Sequence, residues 1–482
     1  MIRERIEKLL NLSDTFKLML FDQFSFSNVF SYSSILSEYG FKIIYYVNVE
    51  AFRVKYEEEI KLSEERIAVV VNSDIYVPYD IQQKFRKVNL SLAVLFPMLH
   101  AKTLTKYILD IDLISFAYDS CYADASTAEA TEKFITNAVY AKSTIEMYCS
   151  EKTKHLLSLC KRAARYTDWI AIAKLKAVIH YYGAKASIET DSSFVDEVFA
   201  GFINMSYASL SSELSSVSPA IITKTLGMIC GTNTDKTTLI VIDGMSLFDF
   251  EAISRSFVGI DFEFSGSFAL IPTTTPISRQ SLLSGKYPRE LEKPFSLVNE
   301  EKEFKTAGQK LGYASNQIQY VRGYKPNISQ FAKLVAVIIN DVDEIVHGQR
   351  QGRLGMYNDM HLLGKNGELQ GLIKLFIESG FDVYITADHG NTPCVGVGNF
   401  HSGIELQTRS MRMAVLKDFA DKHCLLDEYT DEYAGHYLDK SFRYFVCKPG
   451  VTFGSKNEQV MAHGGMTIDE VIVPFIHIKG AK

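Results

Sequence analysis

Apolar runs alternate with amphipathic stretches over the first 90 residues. Three short apolar runs predict strands and the two stretches between them predict helices, in the chain order 17–21, 33–39, 41–47, 51–62 and 67–71. Alternation of strands with helices is typical of a parallel sheet whose strands are joined by crossover helices. We therefore predict a small α/β domain over residues 1–90.

The pattern becomes helical after residue 90. Apolar positions recur with a period near 3.6 over 92–108, 128–159 and 170–180, and strand-like runs are few. We interpret residues 91–230 as a helical connector domain or a partner-binding domain.

Alternation of strands and helices returns over residues 236–482. Apolar runs predict strands, and helices are expected to begin at Phe248 and Pro276; the runs are 238–242, 268–271, 334–339, 383–387 and 471–478. The long segment 392–461 precedes the last motif, and a segment of that length beside a catalytic loop often forms a cap. We predict an α/β catalytic domain with a mostly parallel sheet flanked by helices and a cap insertion at 392–461.

Isolated acids and imidazoles follow three of these apolar runs. In an open parallel sheet, residues just past the carboxyl ends of the strands line the ligand crevice. An acid and an imidazole buried side by side are costly without a cation between them, and carboxylate oxygen with histidine nitrogen suits zinc. The pattern predicts two divalent ions, with the candidate ligands Asp243, Asp343, His347, Asp388, His389 and His463.

A hydroxyl-rich run at 272–285 precedes a predicted helix. Thr275 is a good N-cap, Pro276 suits the first helical position, and Gly285 suits the helix end. The free amides of a helix start hold phosphoryl oxygens well, which makes the Thr275 hydroxyl a candidate nucleophile and Arg279, one turn later, a candidate clamp. The same run is also an ordinary way to open a helix.

Composition narrows the class of protein only a little. The 482 residues are 47% hydrophobic and 22% charged, as in soluble globular proteins, and the net charge of -6 argues against a globally basic nucleic-acid binder. Seven cysteines without a CxxC pair favour reduced thiols. Because neither a signal peptide nor an apolar run of about 18 residues is seen, we expect a cytoplasmic protein without a membrane span.

The order of the motifs resembles the alkaline phosphatase superfamily. Asp243-Gly244, the Thr275 run, Asp343-x-x-x-His347, Asp388-His389-Gly390 and His463-Gly464-Gly465 follow one another as in that superfamily. The run 272–279 and the closing run 462–474 look most like the PglZ domain of bacterial BREX phage-defence systems and of some response-regulator proteins. The resemblance covers residues 236–482 and is weaker over the first 230.

The resemblance implies roles for individual residues. Asp243, Thr275, Asp388 and His389 would hold one zinc ion, and Asp343, His347 and His463 the other. The spacing to the run 284–288 is similar to that in nucleotide pyrophosphatases and sulfatases, which places the nucleophile at Thr275 and not at Thr273 or Thr274. A threonine where sulfatases have a formylglycine precursor speaks against sulfate esters, and the equivalent arginine of sulfatases supports the nucleophile, as Arg279 would here.

These observations lead to one main hypothesis and two alternatives. The main hypothesis is a two-metal phosphodiesterase, phosphatase or nuclease of PglZ type, acting on nucleotide or nucleic-acid phosphoesters in phage defence. One alternative is an assembly or signalling component with a mainly structural metal site, whose N-terminal half docks onto defence-system partners. The other is a monoesterase or phosphomutase. A counterpart of the substrate-binding asparagine of nucleotide pyrophosphatases is not found, and His361 and His401 are interpreted as exposed loop histidines.

Overall fold

The chain folds into two compact units. The computed structural model describes residues 1–22, 26, 32–62, 64–72, 75–120, 125–232, 235–398, 411–417 and 428–479. The first unit is Met1–Tyr148 and the second is Cys149–Lys482. None of the described helices is long and apolar enough to cross a membrane.

The first unit contains a parallel sheet followed by helices. Strands β1 (Lys17–Asp22), β2 (Phe41–Tyr45), β3 (Arg66–Asn72) and β4 (Arg86–Leu90) lie in the order β2-β3-β1-β4, all parallel. The central strands β1 and β3 are mostly buried, which is usual for parallel strands covered on both faces, whereas the edge strands β2 and β4 are partly exposed. The helices are α1 (Ile2–Leu10), α2 (Tyr32–Glu38), α3 (Val49–Leu62), α4 (Tyr79–Gln82), α5 (Leu92–Leu95), α6 (Ala101–Leu104), α7 (Ile111–Ser120) and α8 (Ala128–Phe134).

The second unit is built around a six-stranded sheet. Its strands are β5 (Thr237–Ile242), β6 (Glu263–Phe268), β7 (Ile318–Arg322), β8 (Leu334–Ile339), β9 (Asp382–Thr386) and β16 (Ile472–Ile478), in the order β6-β16-β9-β5-β8-β7. Strands β7, β8, β5 and β9 are parallel to one another, and β16 is antiparallel to both its neighbours. Every residue of β5 and β8 is buried. The predicted mostly parallel sheet is confirmed.

Helices pack against this sheet, among them α13 (Leu247–Ser254), α15 (Glu300–Lys310) and α18 (Glu368–Glu378). Helix α13 also packs against α10 (Tyr166–Lys185) and α17 (Gly352–Lys365), and α14 (Thr275–Ser284) packs against α15. The helices after α8 are α9 (Lys142–Cys160), which contains the boundary between the units, α10 (Tyr166–Lys185), α11 (Ser193–Ser206), α12 (Thr225–Cys230), α13 (Leu247–Ser254), α14 (Thr275–Ser284), α15 (Glu300–Lys310), α16 (Asp341–Gly348), α17 (Gly352–Lys365), α18 (Glu368–Glu378) and α19 (Ile468–Val471).

The segment predicted as a cap insertion contains two small sheets among its described residues. Strands β10 (Thr392–Gly396), β14 (Val451–Thr452) and β15 (Gln459–Ala462) form one, in the order β14-β10-β15. Strands β11 (Met413–Lys417), β12 (Thr430–Tyr433) and β13 (Phe442–Cys447) form the other, in the order β11-β13-β12. A role of this segment in substrate access stays a prediction.

Several predicted elements were wrong in detail. The helix expected over 92–108 is broken, because α5 ends at Leu95 before Phe96-Pro97 and proline disfavours helix at the preceding residue. The strand expected over 268–271 ends at Phe268, where its pairing with β16 stops. Strands β4 and β7 were missed, since both are short edge strands with mixed polar and apolar residues.

Candidate active site

Three adjacent strands bring the predicted acids to one edge of the sheet. Ile242 at the end of β5 lies opposite Ile339 at the end of β8, and Val241 lies opposite Thr386 at the end of β9. Because the strands are parallel and in register, the residues that follow them leave the sheet side by side. The loops that carry Asp243 and Asp388 and the helix α16 that carries Asp343 therefore begin at neighbouring points.

The first group of side chains is Asp243, Asp388 and His389, which offer ligand atoms within 4.8 Å of one another. His389 Nε2 lies 3.7 Å from Asp243 Oδ1 and 3.9 Å from Asp388 Oδ2. All three residues are buried. Two carboxylates and one imidazole that converge in this way are a suitable ligand set for a zinc-like cation.

The second group is Asp343, His347 and His463, whose ligand atoms meet the same 4.8 Å limit. Asp343 and His347 lie one turn apart on α16, as their spacing predicted, with His347 Nε2 3.4 Å from Asp343 Oδ2. His463 Nε2 approaches Asp343 Oδ1 to 3.5 Å from the loop after β15. This group is more open than the first, since the His347 side chain is 37% exposed.

The two groups are in contact through their histidines. The rings of His389 and His463 stack with centroids 4.3 Å apart and planes inclined by 14°. Each ring holds its Nδ1 near a backbone carbonyl, Gly390 O at 3.0 Å for His389 and Thr273 O at 2.9 Å for His463. A carbonyl only accepts, so each Nδ1 donates to it, and the Nε2 of a neutral ring is then the nitrogen that can bind a cation. This outer hydrogen bond is the usual way of orienting a metal-binding histidine.

The electrostatics of the two groups fit a bound cation. Burial and the neighbouring Asp243 raise the pKa of Asp388 well above its ordinary value. Burial, with a contribution from His389, lowers the pKa of His463 to about 4, so its ring is neutral near pH 7. Among the described residues, buried Asp343 Oδ1 and Asp388 Oδ2 lack a hydrogen-bond donor. Buried acceptors that face other acceptors are costly unless a cation lies between them.

The candidate nucleophile lies at the start of α14. Thr275 Oγ1 is 3.0 Å from His389 Nε2 and 3.4 Å from Asp243 Oδ1, so the hydroxyl touches the first group. The prediction that Thr275 is the N-cap was wrong by one residue: Thr274 is the N-cap and the helix begins at Thr275. Gly285 ends the helix in the left-handed conformation with φ 69°, as predicted. The shift places Thr275 in the first turn, beside the free amides of the helix.

Arg279 is engaged by two buried acids. Its Nη1 donates to Asp243 Oδ2 at 2.5 Å and its Nε donates to Glu300 Oε2 at 2.9 Å. The guanidinium is 2% exposed. This arrangement favours the supporting role for Arg279 over the expected clamp on phosphoryl oxygens, because its Nε and Nη1 already donate to protein carboxylates. Arg279 fixes Asp243, which in turn contacts Thr275.

A cavity of about 470 Å³ opens onto both groups. Its wall includes Thr275, Asp343, His347 and His463, together with side chains that sequence reasoning did not select; these are Phe295, Leu297, Arg322, Asn340 and Glu344. Asn340 follows β8 directly, so the strand-end signal that selected Asp243 would also have found it. Glu300, which holds Arg279, lies in an acidic run and gives no such signal.

Short loops are held close to the site by two glycines and one buried acid. Gly244 has φ +72° and donates from its amide to Asp388 Oδ1 at 3.2 Å. A Cβ at Gly390 would lie 2.0 Å from the Asp469 carbonyl oxygen, so the predicted tight bend accepts only glycine. Glu470 of α19 accepts from the Gly465 amide at 2.8 Å, and its own carbonyl accepts from the Gly390 amide at 2.8 Å. Helix α19 therefore braces the loops of His389 and His463 together.

The two remaining histidines lie apart from these groups or outside the described residues. His361 is on α17, not in a loop as predicted, and stacks on Tyr357 with centroids 5.9 Å apart. His361 does not line the cavity described above. His401 lies outside the described residues.

Asp249 should give the protein a measurable pH dependence of stability. It is fully buried in α13, where Oδ2 accepts from the Ser246 amide at 2.8 Å and from Asn391 Nδ2 at 2.6 Å, and burial raises its pKa to about 6. Between about pH 4 and pH 6 the unfolded chain loses this proton while the folded chain keeps it, so stability falls as pH rises. The free energy of unfolding of wild type should drop by roughly 3 kcal/mol relative to Asp249→Asn. Urea unfolding across this range checks this; a difference that does not vary with pH would contradict it.

The fold and the site together define an α/β domain with a candidate binuclear metal centre at the carboxyl edge of its sheet. Residues 228–478 match the family model described as the BREX system PglZ alkaline phosphatase-like domain. Because the match covers more than half of the chain, the protein belongs to the PglZ family, and the predicted resemblance is confirmed. All eight predicted site residues lie within the matched region. Membership of this family supports the conclusion that the protein is a phosphoester hydrolase.

Solved structures show only distant similarity. Murine ectonucleotide pyrophosphatase/phosphodiesterase 5 aligns at 13% identity and a TM-score of 0.36, covering 51% of this chain and 88% of that chain. Phosphonoacetate hydrolase from Sinorhizobium meliloti, in complex with phosphonoformate, aligns at 12% identity and a TM-score of 0.33, covering 51% of this chain and 90% of that chain. No curated protein matches this chain significantly in sequence. Similarities at this level carry no argument about the reaction.

Proposed function

We propose that this protein is a two-metal phosphodiesterase that uses Thr275 as its nucleophile. The observation that carries the proposal is the position of Thr275 Oγ1, at a helix start, 3.0 Å from His389 Nε2 and 3.4 Å from Asp243 Oδ1. A hydroxyl in contact with a buried acid–imidazole group, beside free helix amides, suits attack on phosphorus. The substrates would be nucleotide or nucleic-acid phosphodiesters, and the family description favours a role in phage defence.

The two groups would each hold one divalent ion. Asp243, Asp388 and His389, with Thr275, would hold the first, and Asp343, His347 and His463 the second. When bound, two such ions would supply charge stabilisation for an in-line displacement at phosphorus. The mixture of carboxylate and imidazole ligands favours zinc, and manganese is the main competitor.

The side chains of this chain position the reaction. In the first step, the Thr275 hydroxyl oxygen forms a bond to phosphorus and releases its proton to solvent. The bond from phosphorus to the leaving oxygen breaks, and its electron pair goes to that oxygen. In the second step, water adds to phosphorus and the Thr275–phosphorus bond breaks, which restores the hydroxyl. Arg279 keeps Asp243 in place beside Thr275, and the amides of the first turn of α14 hold phosphoryl oxygens.

Hydrolysis of chromogenic esters tests the proposal directly. Zinc-loaded protein should hydrolyse bis(p-nitrophenyl) phosphate with a higher kcat/KM than p-nitrophenyl phosphate, and protein stripped of metal should be inactive on both. Faster hydrolysis of the monoester would favour a phosphatase or phosphomutase. Two bound zinc ions with no turnover on any phosphoester would favour an assembly or signalling component, with defence-system partners bound through the N-terminal half.

A further inference from the structure

A second arginine lines the cavity that opens onto the two groups. Arg322 is the last residue of β7 and pairs in register with Ile338 near the end of β8. It therefore leaves the sheet at the same carboxyl edge as the candidate metal ligands. The cavity of about 470 Å³ is lined by Arg322 together with Thr275 and Asp343. Arg322 and the candidate nucleophile thus share one open volume.

The two arginines of this cavity differ in how many of their guanidinium donors have acceptors within the protein. Arg279 is buried and donates to Asp243 and Glu300 at 2.5 and 2.9 Å. Arg322 is 51% exposed, and its one ion pair among the described residues is a long contact of 3.4 Å from Nη2 to Glu300 Oε1. That oxygen already accepts a closer hydrogen bond from the Tyr320 hydroxyl. Most of the five guanidinium donors of Arg322 are therefore left for a ligand.

The chemistry of a guanidinium in this position selects an anion. Arginine presents its donors in a planar fork that matches the oxygens of phosphate and carboxylate. Glu300 holds Arg279 through one oxygen and touches Arg322 through the other, so only one carboxylate and one guanidinium separate Arg322 from Asp243. An anion at Arg322 would accordingly lie beside, and not on, the phosphorus that Thr275 attacks.

We propose that Arg322 binds a second anionic group of the substrate, a phosphate next to the scissile one. The preferred substrate class is then a phosphodiester that carries a further phosphate, as oligonucleotides and terminally phosphorylated dinucleotides do. This inference rests on the proposed phosphodiesterase function. Phe295 and Leu297, which also line the cavity, give it an apolar wall for the part of the substrate that links the two anions.

Three dinucleotides test the inference: thymidine dinucleotide without a terminal phosphate, with a 5′ phosphate, and with a 3′ phosphate. One of the two phosphates should raise kcat/KM of the wild type about tenfold, the gain expected from one charge-assisted contact. Arg322→Gln should abolish that gain, and Arg322→Lys should restore part of it. Using the ratio between substrates cancels any general loss of activity.

Lys325→Gln is the matched control, since Lys325 lies three residues further on, is 87% exposed, and does not line the cavity. It should keep the wild-type ratio. An equal gain in wild type and Arg322→Gln, or no gain from either phosphate in wild type, would overturn the role of Arg322 while leaving the proposed function intact. If the wild type hydrolyses none of the three, the proposed function fails. In that case the dissociation constants of the same dinucleotides are measured by calorimetry on wild type and on Arg322→Gln. A terminal phosphate that strengthens binding to wild type but not to Arg322→Gln would support the role of Arg322, and an equal effect on both would overturn it.

Discussion

Replacing Thr275 by alanine is expected to lower kcat on bis(p-nitrophenyl) phosphate by about a thousandfold or more, the usual cost of removing a nucleophile. The alanine removes the Thr275 hydroxyl, which lies within 3.4 Å of both His389 and Asp243. Bound metal, measured by mass spectrometry, should stay close to the wild-type content, because the six acid and imidazole side chains proposed as ligands remain. Thr275→Ser, which keeps a hydroxyl, should recover part of the rate.

The neighbouring threonine provides the control for this prediction. Thr274 is buried beside Thr275, and its Oγ1 has no hydrogen-bond partner among the described residues. Thr274→Ala should therefore lose far less activity than Thr275→Ala. Full activity in Thr275→Ala would contradict the proposed mechanism. An equal loss in both variants would show that the threonine run 273–275 contributes through packing and not through one hydroxyl.

Removal of metal is expected to have the other large effect. Treatment with a chelator should lower activity by at least about a hundredfold, since two-metal centres stabilise the charge that develops in phosphoryl transfer, and added zinc should restore it. Wild type should bind about two ions per chain. His347→Ala should bind about one, because His347 belongs to the second group and its side chain is 37% exposed, which spares the core.

The readouts are metal content by mass spectrometry and the hydrolysis rate of the same samples. Lys325→Gln again serves as the control, because it changes a surface charge away from both groups. Unchanged activity after complete loss of metal would contradict the two-metal reaction. An unchanged ion count in His347→Ala would remove His347 from the ligand set.

The candidate ligands could be predicted because their positions depend on local periodicity. A fully apolar run such as 334–339 has few structural options, and a polar residue after it must leave the sheet at the carboxyl edge. The spacing of Asp343 and His347 placed them on one helix face without any long-range information. The tight bend at Gly390 followed from the same local reasoning.

The supporting residues could not be predicted, because long-range contacts set their roles. Glu300 follows Asn299 in a run that looks like a solvated helix start, yet it is buried through its pairing with Arg279, 21 residues earlier. Arg322 ends an edge strand that has no clear apolar pattern. The position of the N-cap was ambiguous for another reason: three consecutive threonines at 273–275 have equal capping preferences, and only the surrounding packing selects Thr274.

The register of the three central strands has a consequence for how this family can diverge. Ile242 and Ile339 end their strands opposite one another. The positions of the acids that follow the strands therefore depend on the length of each apolar run and hardly on its composition. Exchange among valine, leucine and isoleucine within a run keeps every side chain on its face, whereas a one-residue deletion turns the following acid towards the opposite face. Homologues that keep this candidate site should therefore exchange apolar residues freely within the strands and show insertions or deletions only in the loops.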